Sequence, residues 1–84
     1  MSKYNPLKEF LQLTPKHIQK VTVSFNQISK IINSTLPSSS AIHRQWWENQ
    51  TTATGRPQNQ AWNDAGFEVE AVDLQQEWVI FKKI

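Results

Sequence analysis

The chain has 84 residues, enough for one domain with one modest core. Apolar residues make up 38% and charged residues 19%, and the absence of cysteine excludes disulfides and thiolate metal sites. The formal net charge of +2 hides an asymmetry, +5 over residues 1–60 and −3 over residues 61–84, so an anionic partner would meet the front of the chain.

In chain order, Asn5 is a candidate N-cap and Pro6 suits the first helical turn. Leu7, Phe10 and Leu11 share one face of the helix that follows, and Pro15 limits its length. The segment KVTVSF alternates, with Val21, Val23 and Phe25 on one side, which predicts a short strand. Ser24 and Gln27 have capping-box spacing. Phe25, Ile28, Ile31 and Ile32 then repeat with helical period, and the helix is expected to stop near Asn33. A third helix is expected from the serines at 38–40 to about Asn49. QTTATGRPQ reads as an exposed loop, and NQAWNDA as a short helix ended by Gly66 in a left-handed conformation. The chain closes on a hairpin. Phe67, Val69 and Ala71 alternate on one strand, and either Trp78 and Ile80 or Val79 and Phe81 on the other.

The order helix, strand, helix, helix, short helix, strand, strand resembles a winged helix-turn-helix domain. The implied fold is α+β: a single domain over residues 1–84, with a helical core, a C-terminal antiparallel hairpin as the wing, and the Val21–Ser24 strand paired to the hairpin's edge. A second resemblance covers nearly the whole chain. YNPL, HRQWWEN, AWNDAGFEVEAVDL and VIFKK look like a family of small uncharacterised prokaryotic domains with HR-x-WW-x-N and AW-x-x-AG-x-x-V-x-x-VDL motifs. That resemblance implies no particular activity.

Catalytic signals are weak. Ser39 and His43 are four apart, but there is no G-x-S-x-G elbow, and Gly55 and Gly66 make no phosphate loop. Two histidines 26 positions apart do not build a metal site, and no cofactor is expected. The adjacent Trp46 and Trp47 read mainly as packing residues. Trp46 is expected to be the more buried because Ile42 lies four positions before it, and Trp47 is a candidate for covering Trp62 or for stacking on a base beside Arg44.

The expected function is non-catalytic binding of nucleic acid, double-stranded DNA foremost, in a regulatory, mobile-element or defence setting. The expected contacts are Lys30, Ser38, Ser39, Ser40, His43, Arg44, Trp47 and Arg56, since a recognition helix must offer polar groups near its start. The alternative is a protein-interaction module, such as an inhibitor of a nucleic-acid-processing complex, docking through Glu68, Glu70, Asp73 and Glu77. A homodimer is compatible with either. No apolar run approaches the ~20 residues of a membrane span, and no secretory signal is visible, so a cytoplasmic protein is expected.

Overall fold

A computed structural model describes residues 3–47 and 57–84. The described elements are α1 (Asn5–Gln12), β1 (Lys20–Ser24), α2 (Phe25–Ile32), α3 (Ser38–Ile42), a 3-10 turn (Arg44–Trp47), α4 (Pro57–Asp64), β2 (Phe67–Asp73) and β3 (Trp78–Lys83). The strands form one antiparallel sheet in the order β1-β3-β2. The molecule is thus a small α+β domain with four α-helices and three strands among the described residues. The hairpin is not a separate C-terminal appendage, because β1 completes its sheet.

The helices start and stop where backbone groups find partners. Tyr4, not Asn5, occupies the cap of α1, and its carbonyl accepts from the N–H groups of Leu7 and Lys8 at 3.0 and 3.2 Å. The expected capping box opens α2: Gln27 N–H donates to Ser24 Oγ at 3.1 Å, and Ser24 N–H donates to Gln27 Oε1 at 2.9 Å. Asn33 ends α2 at φ 54°, a left-handed conformation that Asn tolerates better than most residues. Gly66 closes α4 at φ 84°. That helix begins at Pro57, so Pro57 and Gln58 belong to it and not to the preceding loop.

The third helix departs from expectation. It ends at Ile42 instead of Asn49, and the chain tightens into the 3-10 turn. An unbroken α-helix would bring the Ser40 carbonyl to the N–H of Arg44. Here that carbonyl accepts from the indole Nε1–H of Trp47 at 2.8 Å, within a buried site. With the helix broken, the four-residue relation between Ile42 and Trp46 is lost. Ile42 is 65% exposed, and Trp47, not Trp46, is the more buried of the pair, at 2% against 7%.

Two adjacent tryptophans can both be buried because each meets a different neighbour. Trp46 packs edge-on against Tyr4 at a centroid distance of 6.0 Å. Trp47 lies between Phe25 and Trp62, nearly parallel to both, at 4.9 and 5.9 Å. Trp62 in turn contacts Phe81 at 5.5 Å. A file of rings thus runs from α2 through the 3-10 turn and α4 to β3. Leu7, Leu11, Val23, Ile28, Ile32 and Val79 complete the core around it. Phe10, expected on the same face as Leu7 and Leu11, is 38% exposed.

In the sheet, Val79 and Phe81 are the inward pair of β3. On β2 the alternation is interrupted: Val69 pairs with Phe81 and Ala71 with Ile80, so Glu70 is an extra residue in a bulge. The bulge shifts the inward phase, so Val72 is buried where Ala71 was expected. Asp73 Oδ1 accepts from the N–H groups of Gln75 and Gln76 at 3.0 and 2.9 Å and holds the hairpin turn.

Candidate nucleic-acid interface

The expected contact residues divide by burial. Lys30, in the last turn of α2, is exposed, as are Ser38, His43 and Arg44. Ser39 lies within α3. Ser40 is 1% exposed, and its Oγ donates to the Pro37 carbonyl at 2.7 Å, so it braces the start of α3 and does not face a ligand. Trp47 is sealed between two rings and gives up its only donor to Ser40, so base stacking by Trp47 is ruled out in this conformation. Arg56 lies outside the described residues.

Arg44 combines exposure with anchorage. Its Nη1 donates to the Val72 carbonyl at 3.1 Å, which ties the 3-10 turn to β2 just past the bulge. A guanidinium has five N–H donors in a planar fork. One bond to a backbone carbonyl orients the group and leaves most of its donors for another acceptor.

Gln58 and Asn59, buried polar residues of α4, are absent from the expected set. Gln58 Nε2 donates to the Trp46 carbonyl at 3.4 Å and so fixes the 3-10 turn from the other side. The sequence signal for this was Pro57: read as a helix opener, it places Gln58 three and four residues before Ala61 and Trp62, on the same buried face.

The four hairpin acids do not form one uniform patch. Glu70 makes an ion pair with Lys20 at 2.9 Å across the sheet. Asp73 is committed to the turn, and the carbonyl of Glu77, at φ 60°, accepts from the N–H of Phe25 at 2.9 Å. Glu68 stands opposite Lys82. Among the described residues no three His, Asp or Glu side chains gather as a metal site, and no helix is long and apolar enough to cross a membrane.

Fold and surface together define a small α+β domain whose polar helix-turn surface is fixed from beneath by an aromatic core. Residues 4–84 match the family described as Domain of unknown function (DUF7662), and the chain belongs to that family. No curated protein and no solved structure matches this chain.

Proposed function

We propose that the chain is a non-catalytic nucleic-acid-binding domain of winged-helix type, with duplex DNA as its ligand. The observation that carries this reading is the strand order β1-β3-β2, with β1 lying in sequence between the first two helices and pairing with the terminal hairpin. That connectivity supports a winged helix-turn-helix reading, on which α2 and α3 serve as the helix-turn-helix pair.

The contact surface on this reading is Lys30, Ser38, His43 and Arg44, with Arg44 prepositioned by Val72. Residues 10–47 contain Lys16, Lys20, Lys30 and Arg44 and no Asp or Glu, so phosphates meet no repelling carboxylate along that stretch of chain. The hairpin is a poor phosphate-binding wing, because it carries Glu68, Glu70, Asp73 and Glu77. The affinity therefore comes from the helices.

The test is fluorescence anisotropy with a labelled random-sequence duplex, started at low salt where phosphate contacts are strongest. Lys30→Ala and Arg44→Gln should each weaken binding to all sequences and lower the salt slope by about one. Reversing Glu68 to Lys should leave binding unchanged or improve it. No anisotropy change at low salt would overturn the proposal. It would leave the protein-interaction module as the reading, in which reversal of the hairpin acids abolishes capture of the partner.

A further inference from the structure

Strand β1 is an edge of the sheet, and its outer side has no strand beside it among the described residues. The β1–β3 ladder is anchored by Lys83 N–H donating to the Gln19 carbonyl at 2.8 Å and by Phe25 N–H donating to the Glu77 carbonyl at 2.9 Å. In an antiparallel pair, residues that exchange both bonds alternate with residues whose N–H and C=O turn away. Val21 and Val23 therefore bond to β3, while Lys20 and Thr22 turn their backbone groups outward. Ser24 also turns outward, but its N–H is occupied by Gln27. Lys20 and Thr22 are both exposed, and no fourth strand pairs with this edge among the described residues.

Beside that edge lies an open groove of about 630 Å³, whose lining includes Leu13, Pro15, Ile18, Lys20, Val21 and Thr22. Leu13 is 83% exposed within it. One wall is pinned: Lys83 Nζ donates to the carbonyls of Pro15 and Lys16 at 3.2 and 3.0 Å. This brings an ammonium beside Pro15, at the end of the groove. No carboxylate lines the groove.

We propose that the β1 edge and this groove take up an extended segment of a partner protein by strand addition. The segment carries apolar side chains at alternate positions and an acidic residue at the end that meets Pro15 and Lys83. Three features select it. Outward N–H and C=O groups at Lys20 and Thr22 supply the main-chain pairing of an added strand. Alternate side chains of that strand fall over the groove. The positive charge at one end then selects an acid. A second copy of this chain fits less well, because its own β1 and the flanking residues 10–47 bring further cations and no carboxylate.

The test uses three end-blocked octapeptides of alternating Val and Thr, ending in Glu, Gln or Lys, titrated into the ¹⁵N-labelled full chain. The amides of Lys20 and Thr22 should shift most, and the Glu peptide should bind about two- to fivefold more tightly than the Gln peptide. The Lys peptide should bind most weakly. N-methylation of alternate peptide amides should abolish binding in one phase and spare it in the other. Leu13→Ser, at an exposed position, should weaken all three peptides without changing the circular dichroism spectrum. Absence of shifts at Lys20 and Thr22 with every peptide, or a preference for the Lys peptide, would overturn the proposal. So would a concentration-dependent dimer with cross-copy contacts at Thr22, which would assign the edge to a second copy.

Discussion

Trp47 shows how one side chain can decide a local path. It fills the gap between Phe25 and Trp62, and its Nε1–H satisfies the Ser40 carbonyl. Replacing it with Ala removes a packed ring and leaves that carbonyl without its indole partner. Trp47→Ala should cost roughly 3–5 kcal/mol in urea unfolding, and Trp46→Ala should cost less. Gly66 offers a second test. A Cβ built there meets nothing within 4 Å, so any penalty comes from φ 84° alone. Gly66→Ala should cost about 1–2 kcal/mol, and Gly66→Asn should recover part of it. Tyr4 gives a pH signature: burial raises its phenol pKa above the ordinary value. The folded state then holds the proton more tightly than the unfolded state. The stabilisation is complete below the unfolded value of about 10 and is lost as pH rises beyond it. Tyr4→Phe should flatten the alkaline fall in stability measured by chemical unfolding.

The elements differ in how much of them could be read from the residues. The capping box of α2, its stop at Asn33 and the Gly66 stop of α4 rest on local backbone chemistry, and these were legible. Ser24→Ala should cost about 1 kcal/mol, and thermal unfolding will measure it. The end of α3 was not legible. No Gly or Pro stands between Ser38 and Trp47; the break is tied to a contact between Trp47 and the Ser40 carbonyl that exists only once the core forms. The bulge at Glu70 was hidden for a related reason. FEVEA alternates and points Ala71 inward, and only the apolar doublet Ala71-Val72 hints that pairing with β3 shifts register after Val69. Periodicity records which residues are apolar, not which cross-strand partner they meet. The same limit affected the candidate site. Ser40 and Trp47 have side chains suited to a ligand, and tertiary packing consumed both.

Across the whole molecule, β1 joins the beginning of the chain to its end. It follows α1 directly, yet its partner is the last strand, so the sheet closes only when both termini are in place. Charge follows this closure. The acid-free stretch 10–47 is brought against the acidic hairpin, and Lys20–Glu70 is where the two meet. That pair is exposed, so Glu70→Gln should change stability by less than about 1 kcal/mol. The same variant lowers negative charge on the hairpin, and duplex affinity at low salt should rise slightly or stay constant. A marked loss of affinity would place the hairpin in the contact surface, against the reading given above.

The ring file also makes the protein its own optical probe. Two indoles lie nearly parallel at 5.9 Å and a third stands edge-on at 4.6 Å, so their electronic transitions are coupled. Circular dichroism should therefore contain a couplet from the Trp46–Trp47–Trp62 group, superimposed on the helix and strand signal. Trp78, half-buried on the outer face of β3, lies outside that group. In a Trp78→Phe variant, all remaining indole emission would come from the cluster. Its wavelength and the couplet would then report on one event, the joining of α2, α4 and β3 around Trp47.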